Sequence, residues 1–235
     1  MALYPLPLNL RGLFFYNIAS LTLWSCCLAR FLVLLPLVGR RFLPAGIADF
    51  FHVVATLPLL GYFLVNSLRE SPHKKSLWGL FNGARLVWVC YAVIFPHPKI
   101  AKHTSYSFLI LAWCLQNILD LAYHSFKLKT RTSPKFLFWL HYNHFFVTFP
   151  VSFVSELTMV FLSLAFVQHS GLEYVLQACF LLYVPIGYYT FKHLLHRRDE
   201  KYTQYLLKRA QGRANGVDLD GQGSAGSAES SATLH

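Results

Sequence analysis

The sequence predicts an all-α polytopic membrane protein, a bundle of six transmembrane helices. Hydrophobic residues make up 55% of the 235 residues and charged residues only 13%, whereas an ordinary soluble domain has about 25% charged residues. Aromatic residues reach 17%, which is typical of the aromatic belts at membrane interfaces. Long apolar runs recur as far as about residue 194. Together these observations indicate that membrane spans use up almost all of the chain.

Six segments reach the roughly 20 mostly apolar residues that a spanning helix requires. They are residues 13–36, 47–68, 77–96, 104–126, 136–164 and 173–194. Helix-breaking prolines lie at the span ends, namely Pro36, Pro44, Pro96, Pro98 and Pro134. The fifth segment would be about 43 Å long as one helix, against a hydrocarbon core of about 30 Å. We expect it to tilt, to kink at Pro150 or to continue past the interface.

The positive-inside rule predicts the orientation of these spans. Six spans place both termini on one side, and twelve basic residues share that side: Arg11, Arg69, Lys74, Lys75, Lys127, Lys129, Arg131, Lys135, Lys192, Arg197, Arg198 and Lys201. Four lie on the opposite side: Arg40, Arg41, Lys99 and Lys102. Both termini are therefore predicted to be cytosolic. Residues 1–196 form the membrane domain, and residues 197–235 are a basic and then Gly/Ser/Ala-rich tail for which we expect disorder.

The net charge of +11 does not indicate a nucleic-acid partner, because the basic residues are dispersed over short loops and the tail. The five cysteines, Cys26, Cys27, Cys90, Cys114 and Cys179, all fall within apolar segments. No two of them have metal-ligand spacing, so we interpret them as small hydrophobic residues. We expect no metal and no cofactor.

Four ionisable residues lie deep within apolar segments: Arg30, Arg85, Asp120 and Glu156. Unpaired charges at this depth are costly, so the two arginines and two acids are expected to pair inside the bundle. A structural ion pair is the simpler interpretation for Arg30 and Asp120, whereas Arg85 and Glu156 are equally compatible with a functional site. Glu156 lies in the longest apolar stretch and is the leading candidate.

Helical spacing places polar side chains on the face of Glu156. Positions seven apart drift by only about 20°, so Tyr142, Phe149 and Glu156 share one stripe, and Ser152 lies on the same face. A carboxyl group beside hydroxyl groups in a low-dielectric site can do acid–base chemistry. His141 and His144 are close to the start of the span and are interpreted as interfacial residues; as metal ligands they would need partners from other helices.

One motif gives the chain a specific resemblance. Leu140-His141-Tyr142-Asn143 is followed, without a change of spacing, by Thr148-Phe149-Pro150 and Ser155-Glu156-Leu157. Shorter matches are Tyr16-Asn17, Trp24, Ser71-Pro72, Arg85 and Ala112-Trp113. In these residues the chain resembles the 3-hydroxyacyl-CoA dehydratases of the endoplasmic reticulum, also called protein-tyrosine-phosphatase-like A proteins. The resemblance covers roughly residues 10–200.

The resemblance implies a six-span hydro-lyase of very-long-chain fatty acid elongation. Such an enzyme, which also serves sphingolipid biosynthesis, converts a (3R)-3-hydroxyacyl-CoA to the trans-2-enoyl-CoA. Glu156 matches the family's catalytic glutamate, but the catalytic tyrosine position is Phe149, so Tyr142 or a water would have to replace its hydroxyl. Arg85 and Ser152 are the expected substrate-binding residues. Further departures from the family pattern are Phe81, Asn117 and Asp120.

Two functions therefore follow from the resemblance. The first is a working dehydratase in the endoplasmic reticulum membrane, with an acyl-CoA substrate, membrane lipid and other elongase subunits as partners. The second is a catalytically impaired relative that acts as a scaffold or regulator of the elongase complex. Phe149 is the observation that motivates the second.

Overall fold

The computed structural model describes residues 8–68, 77–130, 134–167 and 170–229. Every regular element within these ranges is helical, which confirms the predicted all-α class. Seven α-helices are present there, with a π-helical turn at Trp88–Ile94 and a short 3-10 helix at Ile100–Lys102. The α-helices are α1 Leu8–Ala55, α2 Leu57–Leu68, α3 Leu77–Val87, α4 Thr104–Thr130, α5 Lys135–Asn143, α6 Phe145–Leu164 and α7 Ser170–Glu229.

Five segments of the described chain are long and apolar enough to cross a membrane. They are Leu10–Ser67, Leu77–Ile94, Thr104–Thr130, Lys135–Leu164 and Glu173–Leu207. The first segment contains both of the first two predicted spans. Helix α1 is interrupted between them at Gly39, whose φ of 71° favours glycine. Pro36 and Pro44 flank this break. The count of six crossings stays a prediction.

The long fifth predicted span is divided into two helices. Helix α5 ends at Asn143 and α6 begins at Phe145, with His144 as a turn between them. Pro150 lies inside α6 without ending it. His144 itself keeps right-handed helical dihedrals (φ −58°, ψ −29°), its N–H donates to the carbonyl of Leu140, and its carbonyl accepts from the N–H of Thr148. Residues Lys135–Leu164 therefore continue as one apolar segment, and the shared stripe of Tyr142, Phe149 and Glu156 stays a prediction.

Aromatic side chains at the contact of α1 with α4 form much of the core. The ring of Phe51 stacks on Trp113 at 5.7 Å and meets Trp24 and Tyr106 edge-on at 6.4 and 5.9 Å. All four of these side chains are almost completely buried. Helix α4 also packs against α6. The core therefore fixes Trp113 beside the helix that carries Glu156.

Contacts divide the chain into two compact units, Met1–Gly187 and Tyr188–His235. The second unit begins within α7 and contains the basic run around Arg198, whose guanidinium lies 5.2 Å from the ring of Tyr202. Helix α7 continues to Glu229. Its last part has the Gly/Ser/Ala-rich composition for which the sequence predicts disorder, and that expectation remains a prediction, as does the domain boundary at residue 196. Residues 230–235, Ser71 and Pro72 lie outside the described residues.

Candidate functional site

Glu156 is completely buried in the membrane-spanning helix α6. An enclosed carboxylate is unfavourable unless other groups satisfy its charge and its oxygen lone pairs. Neighbouring helices supply those groups. From α4, the indole Nε1–H of Trp113 donates a 2.9 Å hydrogen bond to Oε1 of Glu156. From α7, the hydroxyl of Tyr183 donates a 2.7 Å hydrogen bond to Oε2.

Arg85 supplies the compensating positive charge. Its Nη1 lies 3.6 Å from Oε2 of Glu156, and its side chain is only 11% exposed. Its Nη2 donates a 3.2 Å hydrogen bond to Oδ1 of Asn82, one helical turn earlier on α3. The predicted pairing of an intramembrane arginine with an intramembrane acid is therefore present for Arg85 and Glu156.

Phe149, for which the family resemblance implies a tyrosine, lies one heptad before Glu156 on α6. Phe149 is 8% exposed, and its ring stacks on Phe153 at 5.9 Å. The ring of Phe153 in turn lies 5.9 Å from that of Tyr183. An aromatic series therefore connects Phe149 with the tyrosine that contacts Glu156.

Two of the predicted site residues take part in other interactions. The hydroxyl of Ser152 is buried and donates a 3.0 Å hydrogen bond to the carbonyl of Phe149, within its own helix. Tyr142 lies on α5, where its ring contacts Phe138 at 4.8 Å and His141 at 4.7 Å. Two heptads of helix separate Tyr142 from Glu156, a rise of about 21 Å. Tyr142 is therefore poorly placed to supply the hydroxyl that Phe149 lacks.

The other two intramembrane charges do not form an arginine–acid pair with each other. Oδ1 of Asp120 lies 2.9 Å from Nδ1 of His141 and 3.8 Å from Nε2 of His144. Asp120 thus has a structural partner, as predicted, but histidine supplies it. Arg30 is exposed and has no ion pair among the residues that the structure describes. Within the described residues, the expectation that Arg30 pairs with an acid inside the bundle is therefore wrong.

Tyr183 and Trp113 are the site residues that sequence reasoning missed. In the sequence, Trp113 stands out only as part of the short Ala112-Trp113 match, and Tyr183 is one of several tyrosines in the last apolar segment. One signal was available, because a buried phenol or indole normally needs a hydrogen-bond acceptor and Glu156 is among the few in the spans. The sequence does not show which aromatic residue faces Glu156.

The arrangement has two chemical capabilities. A carboxylate in contact with a tyrosine hydroxyl is a potential acid–base pair. The same carboxylate, when both oxygens accept hydrogen bonds and a guanidinium offsets its charge, is a strong link between helices. In the described part of the chain, no three His, Cys, Asp or Glu side chains are grouped closely enough to hold a metal ion.

Comparison with known proteins gives the family. The relatives include the beta-1,6-glucan synthesis-associated protein KEG1 of Saccharomyces cerevisiae, which is 27% identical over 77% of this chain and 93% of its own length. A probable very-long-chain (3R)-3-hydroxyacyl-CoA dehydratase of Schizosaccharomyces pombe is 26% identical over 88% of this chain and 97% of its own length. The very-long-chain (3R)-3-hydroxyacyl-CoA dehydratase PASTICCINO 2 of Arabidopsis thaliana is 24% identical over 37% of this chain and 39% of its own length.

No solved structure matches the chain significantly. The profile of the family described as protein tyrosine phosphatase-like protein, PTPLA, matches residues 80–204, just over half of the chain. The matched region contains Arg85, Trp113, Glu156 and Tyr183. The chain therefore belongs to the PTPLA family, whose curated relatives include very-long-chain (3R)-3-hydroxyacyl-CoA dehydratases.

Proposed function

We propose that this chain is a non-catalytic PTPLA-family protein that acts as a scaffold subunit in a membrane, with Glu156 as a fold-stabilising carboxylate. One observation carries the proposal. Both oxygens of the fully buried Glu156 accept hydrogen bonds from side chains of the protein itself, and Phe149 stands where the family resemblance implies a catalytic tyrosine.

The chemistry of dehydration explains why this observation matters. The reaction needs a base for the proton beside the thioester carbonyl and an acid for the departing hydroxyl. Two hydrogen bonds and the Arg85 guanidinium already occupy both carboxylate oxygens of Glu156. Phe149 has no proton to donate. A substrate would have to displace contacts that hold four helices together.

The similarity to a protein of another process also supports this proposal. The Saccharomyces cerevisiae relative, whose name associates it with beta-1,6-glucan synthesis, matches this chain over 93% of its length. The family fold therefore occurs in proteins that are not named as dehydratases. For this chain we propose a role in assembly, in which the helix bundle presents a surface to other membrane subunits.

A second candidate function is supported by Tyr183. Its hydroxyl contacts Glu156 at 2.7 Å, so a tyrosine–glutamate pair exists despite Phe149. As a dehydratase, Glu156 would remove the proton from C2 of a 3-hydroxyacyl-CoA. Tyr183 would protonate the hydroxyl leaving C3, which yields water and the trans-2-enoyl-CoA, and the proton on Glu156 would then restore Tyr183. The substrate would be an acyl-CoA, with elongase subunits as partners in the endoplasmic reticulum.

Complementation in two strains distinguishes these functions. The chain is expressed in Saccharomyces cerevisiae depleted of its glucan synthesis-associated relative, and in Schizosaccharomyces pombe depleted of its probable dehydratase. The scaffold proposal predicts rescue in the first strain only. Rescue in the second strain that is lost with both Glu156→Gln and Tyr183→Phe, at equal protein levels, would favour the dehydratase.

A further inference from the structure

A cavity separate from the Glu156 site lies between α1, α2, α3 and α4. Its volume is about 550 Å³, within the range of about 300–1,000 Å³ that ligand pockets occupy. On α1 its wall extends from Leu10 to Trp24, a rise of about 21 Å. One leaflet of a bilayer has only about 15 Å of hydrocarbon. The cavity is therefore long enough for a membrane lipid, and leucines line much of it.

Polar side chains face the cavity with matching spacing on two helices. They are Asn17, Ser20 and Trp24 on α1, and Asn117, Asp120 and His124 on α4. Both sets follow the spacing i, i+3, i+7, which keeps residues on one face of a helix. Two polar stripes thus line a cavity that is otherwise largely apolar. Two of these groups, the hydroxyl of Ser20 and the indole N–H of Trp24, are buried without a hydrogen-bond partner among the described residues, and a purely hydrocarbon occupant would leave them so.

Trp24 gives this cavity an unused donor. Its side chain is completely buried, and its Nε1–H has no hydrogen-bond partner among the residues that the structure describes. A buried donor without a partner is unfavourable, so such groups normally contact an acceptor from the protein, water or a ligand. Trp24 lines the cavity, and an oxygen of an occupant there can accept this bond.

The charges around the cavity restrict the head group of the occupant. Asp120 disfavours an anionic head group such as a phosphate. A cationic head group is not required, because Oδ1 of Asp120 already lies near His141 and His144, at 2.9 and 3.8 Å. A hydroxyl both donates and accepts, so it can accept from Trp24 and donate to a carboxylate or amide oxygen of the opposite stripe.

We propose that this cavity binds an uncharged membrane lipid with a hydroxyl head group, the chemistry shared by sterols and diacylglycerols. Neither Glu156, Arg85 nor Phe149 lines it. The site is therefore independent of whether the chain catalyses a reaction, and its occupant is a bound lipid and not a substrate.

Photo-crosslinking of the purified full chain in nanodiscs tests the proposal. Three photoreactive probes are compared: a sterol, a diacylglycerol and the anionic lipid phosphatidylserine. Ser20→Leu adds bulk inside the cavity, and Thr22→Leu is its matched control, because Thr22 is an exposed residue of the same helix that does not line the cavity. Trp24→Phe removes the donor and keeps an aromatic ring. Mass spectrometry locates the adducts, and thermal unfolding confirms that each variant is folded.

The expected adducts lie on the α1 and α4 residues of the cavity, and unlabelled lipid lowers their yield. Ser20→Leu lowers labelling at least fivefold, Thr22→Leu leaves it unchanged, and Trp24→Phe weakens binding about fivefold, as the loss of one hydrogen bond predicts. The sterol and diacylglycerol probes identify which neutral lipid binds. If Ser20→Leu does not fold, the proposal is tested in the unmodified chain by the location of the adducts and by competition with the unlabelled lipid. Equal labelling by phosphatidylserine, adducts elsewhere or labelling unchanged in a folded Ser20→Leu variant would overturn the proposal.

Discussion

The hydroxyl of Tyr183 donates a 2.7 Å hydrogen bond to Oε2 of Glu156, and the carboxylate that receives it is closed to solvent. The bond joins α7 to α6, while Trp113 joins α4 to the other oxygen of the same carboxylate. With Arg85 of α3 at 3.6 Å, this one buried carboxylate links four helices. Its contribution to stability can be measured separately from any contribution to catalysis.

Glu156→Gln should strongly destabilise the fold. The amide keeps one acceptor oxygen, replaces the other with an NH₂ group at a position toward which a donor now points, and leaves Arg85 without its counter-charge. Breaking a buried ion pair costs about 3–5 kcal/mol, and we expect a loss of about 3 kcal/mol in the free energy of unfolding. Unfolding in detergent measures it. Glu173→Gln is the control, since Glu173 accepts a solvent-exposed hydrogen bond from Gln177. Equal stability of the two variants would show that Glu156 is not a structural link.

Tyr183→Phe should destabilise the chain less than Glu156→Gln. It removes one hydrogen bond to a charged acceptor, worth about 1.5–3 kcal/mol, but leaves Trp113 and Arg85 in place. Tyr174→Phe on the same helix is a matched control, because Tyr174 is 70% exposed. The melting temperature should fall for Tyr183→Phe and stay unchanged for Tyr174→Phe. No difference between them would argue against the hydrogen bond.

Gly83 lies at a close approach of α3 to α2. A Cβ added there would lie 2.6 Å from Cα and 2.7 Å from the backbone nitrogen of Leu59. Gly83→Ala must therefore push the helices apart, at a cost of about 1–3 kcal/mol. Gly171 has open space around its Cβ position, so Gly171→Ala should be neutral or slightly stabilising. Thermal unfolding compares the two, and a Gly83→Ala variant as stable as the unmodified chain would refute the close contact.

The predicted topology can be tested by glycosylation mapping. Twelve basic residues assigned to one side against four on the other place both termini in the cytosol. An N-glycosylation acceptor added after the tail should stay unmodified in microsomes. An acceptor in an extended loop inserted beside Pro98 should be glycosylated. The reverse pattern would overturn the orientation, and modification of both would overturn the number of spans.

The sequence was sufficient for the helical class and for the expectation that an intramembrane arginine pairs with an intramembrane acid, because apolar length and the cost of unpaired charge are properties of the chain itself. It was insufficient where the packing of distant helices determines the contacts. The sequence did not show that Arg85 pairs with Glu156 while Asp120 contacts His141. Tyr183 reaches Glu156 only because α7 packs beside α6, a relationship between distant segments that helical periodicity does not contain.

The most direct test of the scaffold proposal is a dehydration assay on the purified full chain. A long-chain (3R)-3-hydroxyacyl-CoA is supplied, and the trans-2-enoyl-CoA is measured by mass spectrometry, with a curated dehydratase relative as the positive control. The account predicts that the unmodified chain forms no more product than Glu156→Gln, and that Phe149→Tyr remains at the same level. Product formed by the unmodified chain and abolished in folded Glu156→Gln and Tyr183→Phe variants would contradict it and establish a dehydratase.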